Sequence, residues 1–127
     1  MKTMKTKIKK GALVLMTCCM MFSTVGVSAA TISTSEFGNF TYSLERSGST
    51  VTAVTKTSKV ANKLITKLEV QVNATGETIV SVNATRQNAT DNTIVKATNY
   101  TTTKLAAFST HEARGTGSVA KYLAEVF

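Results

Sequence analysis

One residue of the kind most often used as a general base is present in the chain, His111. Ser109 stands two positions before it and Glu112 directly after it. A serine and a histidine together suggest acyl transfer, in which the imidazole takes the hydroxyl proton. In a strand, residues two apart share a face but lie about 7 Å apart along the chain. That spacing is too wide for a nucleophile–base hydrogen bond without distortion, and Glu112 would point the other way. A carboxylate to complete a triad would have to come from elsewhere, with Asp91 as the candidate. The simpler reading places His111 at a strand end, satisfied by a neighbouring hydroxyl. No catalytic residue is assigned, and the protein is expected not to be an enzyme.

Metal and cofactor chemistry have even less to build on. A single histidine rules out a multi-histidine metal site. The carboxylates from Glu36 to Glu125 are isolated in sequence, so a glycosidase pair would depend on the fold bringing two together. Asn88-Ala89-Thr90-Asp91-Asn92 is too sparse in acids for a calcium loop and reads as a turn. Neither a metal nor a cofactor is expected.

Binding chemistry has more candidates. Carbohydrate sites use exposed aromatics as stacking platforms. The chain has no Trp, and Phe40 and Tyr42 read as core. Tyr100, beside Asn99 near a turn, is the aromatic candidate for ligand contact, with His111 as its polar companion. Lys56, Lys59, Lys63 and Lys67 fall in one stretch, with Glu69 the nearest acid. They could meet an anionic cell-wall polymer or a membrane surface, at about 1 kcal/mol per charge near anionic lipid. The competing reading is an edge strand and loop kept soluble by lysine. Thr50/Thr52 and Thr101/Thr103 have the spacing of ice-binding ladders but do not repeat. Five N-x-[ST] sequons, at Asn39, Asn73, Asn83, Asn88 and Asn99, are what a Thr- and Asn-rich chain contains by chance.

The elements that must position these residues begin after a leader. Lys2, Lys5, Lys7, Lys9 and Lys10 precede an apolar stretch of about 17 residues from Gly11 to Val27. Val27-Ser28-Ala29 then supplies small residues, so the expected cut falls between Ala29 and Ala30. This divides the chain into a signal peptide, 1–29, and a secreted domain, 30–127. A retained anchor is the alternative, though the stretch is short for a bilayer and broken by Ser, Thr and Gly. Leu15-Met16-Thr17-Cys18 loosely resembles a lipobox, but Thr17 stands where a small residue belongs. Cys18 and Cys19 both lie in the leader, so the mature chain has no disulfide or thiolate site. The whole chain carries a net charge of +8, but from Ala30 onward ten basic residues face seven acids. A net of +3 does not indicate a nucleic-acid partner.

The mature chain has no proline and 19 threonines, so turns must rest on Gly, Asn, Asp and Ser. Period-two alternation marks strands at Phe40–Glu45, Val51–Val54, Leu64–Asn73, Val80–Ala84, Thr93–Thr98, Lys104–His111 and Val119–Phe127. The last of these could also be a short helix. Turns are expected at Ser47-Gly48-Ser49, Asn73–Glu77 and Gly115-Thr116-Gly117. Loops are expected at Thr57–Asn62 and Gln87–Asn92. Six to seven short strands predict an all-β, antiparallel β-sandwich or small barrel.

Phe40-Thr41-Tyr42, Ser109-Thr110-His111 and the Gly115-Thr116-Gly117 turn resemble features of small secreted Ser/Thr-rich β proteins of Gram-positive anaerobes. The resemblance spans most of residues 37–127 and implies lineage and fold rather than an activity. A weaker likeness, to lactococcin-972-class bacteriocins, rests on small size, a leader, few cysteines and β content. The resulting expectation is a secreted, non-enzymatic β-sandwich that acts by surface contact at or near the bacterial envelope. A bacteriocin-like toxin acting on other cells' envelopes is the alternative.

Overall fold

A computed structural model describes residues 25–127. Six antiparallel strands run through them: β1 (Val25–Thr34), β2 (Gly38–Ser47), β3 (Thr50–Val72), β4 (Thr78–Ala97), β5 (Leu105–Arg114) and β6 (Ser118–Val126). The all-β antiparallel expectation holds, and the C-terminal segment is a strand rather than a helix. The three expected turns join β2 to β3, β3 to β4, and β5 to β6. The tightest is the two-residue turn Gly48-Ser49, where Gly48 has φ +60. A left-handed backbone there suits a residue without a Cβ.

The two expected loops are corrected. Thr57–Asn62 lies inside β3 and Gln87–Asn92 inside β4, so each of these strands fuses two expected ones. Both segments look like loops in sequence because their side chains are largely polar and exposed. Their backbones nevertheless remain close to the ladder. The β3–β4 register steps between Lys56/Asp91 and Ala61/Ala89, leaving three more residues on β3 than on β4. This bulge is held from the β1–β2 turn. Lys59 N donates to Phe37 O at 3.0 Å, and Asn39 N donates to Ser58 Oγ at 2.8 Å. Gly38, at φ +70, suits that contact, since a Cβ on it would crowd Ser58 Oγ.

The bulge sets the topology. One edge of β3 bonds to β4 along almost its whole length. The other edge is divided: Thr50–Thr57 pairs with β2, and Lys63–Val72 pairs with β5. The inward-facing positions are odd from Val51 to Thr57 and even from Leu64 to Val72. A single hairpin therefore serves two packed layers, β1-β2-β3-β4 and β6-β5-β3-β4. The expected face of Leu64, Thr66, Leu68, Val70 and Val72 is the buried one. Leu44, Val51, Leu68, Val70, Ile94 and Leu105 form the centre of one core cluster. Phe37, Phe40, Tyr42, Leu64 and Ala113 form most of a second. Two contacts close the ends of the fold. The Glu36 carboxylate accepts from Thr116 N at 2.6 Å and Gly117 N at 2.9 Å, fastening the β1–β2 turn to the β5–β6 turn. Ser28 on β1 lies near the Glu125 carboxyl on β6 and lowers its pKa, while the larger effect of burial pushes it above the usual carboxylate range.

The expected leader up to residue 24 lies outside the described residues. Ala29 and Ala30 lie within β1, opposite Ser43 and Tyr42. A cut between them would remove the rungs pairing Val25–Ala29 with Ser43–Ser47 and take the Ser28 hydroxyl from Glu125. A chain beginning at Ala30 is therefore expected to be about 2 kcal/mol less stable than one beginning at Val25, melting roughly 10 °C lower. Equal melting temperatures by circular dichroism would show that the first half of β1 adds nothing to the fold.

Candidate functional site

His111 is not at a strand end. It sits mid-β5, opposite Thr66 of β3 and Lys121 of β6, in the inward series Ala107, Ser109, His111, Ala113. It is 0% exposed, and Ser109 is 4% exposed. Ser109 Oγ lies 2.7 Å from His111 Nε2, within hydrogen-bond reach, contrary to the expectation from strand spacing. The rise of the backbone governs Cα positions, whereas side chains lean along the strand and the imidazole reaches back toward its neighbour.

The direction of each bond in this network follows from counting protons. Thr66 Oγ1 donates to the Asn92 carbonyl at 3.1 Å, so it can only accept from Thr55 Oγ1 at 2.7 Å. Thr55 has then spent its proton and accepts from His111 Nδ1 at 2.9 Å. His111 therefore carries its proton on Nδ1, and Nε2 accepts from Ser109. Asn92 completes the set by donating from Nδ2 to the carbonyls of Leu64 at 2.8 Å and Ala84 at 2.9 Å. The Tyr42 ring packs 5.6 Å from the imidazole. Burial lowers the His111 pKa to about 4, while a bond to the Val54 backbone acts the other way. Near neutral pH the ring is uncharged.

A serine hydroxyl pointing at a neutral imidazole has the polarity of a nucleophile and its base. Here the orienting group is the Thr55 hydroxyl rather than a carboxylate. Asp91 pairs with Arg86 at 3.7 Å on the surface, and Glu112 pairs with Arg114 at 2.6 Å. Among the described residues no cluster of three or more His, Cys, Asp or Glu could hold a metal. With both ring nitrogens taken and no surface exposed, His111 is corrected from candidate ligand contact to core hydrogen-bonding residue. Tyr100, the other candidate, is half-buried against the first core cluster, and its carbonyl is also engaged.

That carbonyl is held by a residue that sequence reasoning passed over. Arg46 continues the inward series of β2 after Leu44 and is 5% exposed. Its guanidinium donates to Gly48 O and Thr103 O, each at 2.7 Å, and to Phe127 O and Tyr100 O, each at 3.1 Å. Burial lowers its pKa from the usual guanidinium value. Backbone oxygens from the β2–β3 turn, the 98–104 connection and the residue after β6 surround the charge. The signal available in sequence was an arginine at an apolar position of an alternating strand.

The four lysines are all exposed but do not form one cluster. Lys56 projects beside Thr41 and Asp91 in the β2-paired half of β3. Lys59 lies in the bulge, where Nζ donates to Ser35 O at 3.3 Å. Lys63 and Lys67 project from the β5-paired half, beyond the parity change. On that outer face Thr110 pairs with both Lys67 and Tyr122, and Phe108 pairs with Glu69 and Ala124. Tyr122, Val126 and Phe108 are 71%, 52% and 42% exposed. The structure thus joins Lys67 to an apolar strip that the sequence did not link to it, with Lys63 opposite Arg114 further along the same face.

Comparison with known proteins adds no relative: no family model, curated protein or solved structure matches the chain.

Two measurements probe the buried polar groups. His111 has a folded pKa below its unfolded value, so it carries no penalty above about pH 6.5 and lowers stability progressively down to about pH 4. The loss there should reach about 3 kcal/mol. Glu125, with a raised pKa, acts with the opposite sign as pH falls. Urea midpoints of wild type and His111→Gln across pH 7 to 4 should therefore converge on acidification; parallel curves would contradict the assignment. Arg46→Lys should cost about 2 kcal/mol in the same assay, because an ammonium cannot span four backbone oxygens.

Proposed function

We propose that the protein is a secreted, non-enzymatic β-sandwich that works by contact with an anionic surface at or near the bacterial envelope. Support for export lies in the sequence: a lysine-rich start, an apolar stretch, and small residues before Ala30. The observation that carries the contact is the outer face of β5, β6 and the second half of β3, where Lys67 shares a rung with exposed Tyr122 next to that of Phe108, Val126 lies further along the strip, and Lys63 stands on the Arg114 rung of the same face. Large exposed apolar side chains on one face mark an interaction surface. Aromatic rings and lysines side by side suit a boundary with both apolar and anionic character. The acids on this face are already engaged. Glu69 accepts from Gln71 at 2.7 Å and Thr78 at 3.3 Å, and Glu112 holds Arg114.

The test is retention on purified peptidoglycan, teichoic acid and anionic lipid vesicles. Binding is expected at low salt and should be largely lost at about 0.5 M salt. Replacing Lys63 and Lys67 together with Gln should weaken it roughly 30-fold, from about 1 kcal/mol per charge. Tyr122→Ala should weaken it without changing the salt dependence. Absence of retention at low salt would remove the proposal. An inhibition zone from spent medium on neighbouring strains would move the target to other cells' envelopes.

A further inference from the structure

The long outer edge of β4 has no strand beside it among the described residues. β4 bonds to β3 on one side along its length, and no other strand pairs with it. Exposed edges are normally guarded by charge, proline or a bulge. The stretch Thr78-Ile79-Val80-Ser81-Val82-Asn83-Ala84-Thr85 has no charged residue, no proline and no glycine. Its inward side chains Val80, Val82 and Ala84 pack on the core but remain only half-buried, because no further strand covers the sheet margin. At the opposite margins of the two layers, Ser28 of β1 lies near Glu125 of β6.

We infer that this edge pairs antiparallel with the same edge of a second copy of the chain, making one sheet across two molecules. The occupant is argued from self-complementarity. A two-fold axis lets a stretch pair with itself, and continuity of the inner face requires inward residues to meet inward residues. Placing the axis at Val82 sets Val82 against Val82 and Val80 against Ala84 of the second copy. On the outer face it sets Ser81 against Asn83. Thr78 then falls opposite Arg86, with Glu77 one residue beyond, so each end brings a carboxylate of one copy near a guanidinium of the other. No like charges meet. The paired stretch ends where β4 departs from regular strand geometry, at Asn88 with φ 52. That limits the assembly to a closed pair at this edge. The half-covered valines and alanine gain an apolar neighbour, and unpaired backbone groups gain partners.

This inference is independent of the envelope-binding proposal, and its test reads mass rather than adhesion. Sedimentation equilibrium of the wild-type protein should give twice the chain mass at about 100 µM. Ser81 and Asn83 are exposed on the outer face, so substitutions there spare the core. A Ser81→Lys/Asn83→Lys variant places like charges opposite each other twice and should sediment as a monomer with wild-type circular dichroism. A Ser81→Glu/Asn83→Glu variant should do the same, and mixing the two should restore a one-to-one heterodimer. A wild-type mass of one chain at that concentration would overturn the inference. So would a lysine variant that stays dimeric, or a mixture of the two folded variants that stays monomeric.

Discussion

The fold depends on one backbone constraint: β3 must keep its hydrogen bonds with β4 while changing partners on its other side. A strand cannot leave a ladder in the interior without abandoning polar groups. β3 meets this by inserting three extra residues opposite β4 between Lys56 and Ala61. The bulge turns the strand so that β2 pairs before it and β5 after it. The β1–β2 turn props the displaced segment through Phe37, Gly38 and Asn39. Both core clusters follow from this arrangement, because each is assembled from the inward residues of two layers that share the same hairpin.

Polar burial follows a similar logic of pairing, with Thr57 Oγ1 beside the bulge left without a partner. The group Thr55, Thr66, Asn92, Ser109 and His111 joins β3, β4 and β5 where the layers meet. Its proton directions are mutually consistent, so each member is used, and a satisfied network of this kind specifies register. Arg46 serves another region in the same way, gathering backbone oxygens from three separate segments around its guanidinium. A buried charge met by several backbone oxygens is costly to disturb, which ties the 98–104 connection and the last strand to the second. A protein of this size, without a described disulfide, relies on such ties alongside its core.

Chemistry at the surface is distributed by the same folding event. The fifth and sixth strands turn their outward residues away from the core, and those residues are apolar at Phe108, Tyr122 and Val126. The inward series of β6 instead includes Lys121 and Glu125. Apolar residues are divided between its two faces, Val119, Leu123 and Phe127 on one and Tyr122 and Val126 on the other. Its orientation is set by Leu123 and Phe127 packing on the first cluster. The exposed strip is therefore a consequence of register, and its side chains remain available for contact.

Local pattern alone determined the β class, the turn positions at glycine, the alternation of Leu64 to Val72, and an inventory of one histidine and no cysteine from Ala30 onward. These are nearest-neighbour properties: period two, turn chemistry and residue inventory act within a few positions. Tertiary structure alone decided that polar Thr57–Asn62 and Gln87–Asn92 belong to strands, because a long-range ladder can carry residues whose own preferences suit loops. It alone brought Ser109 against His111, since side-chain reach on a twisted strand is invisible to spacing along the chain. It separated Lys56 from Lys63 and Lys67 by a parity change that a continuous sequence cannot display. It also drew Arg46 inward, because backbone oxygens from residues 48, 100, 103 and 127 converge there only after the chain has folded.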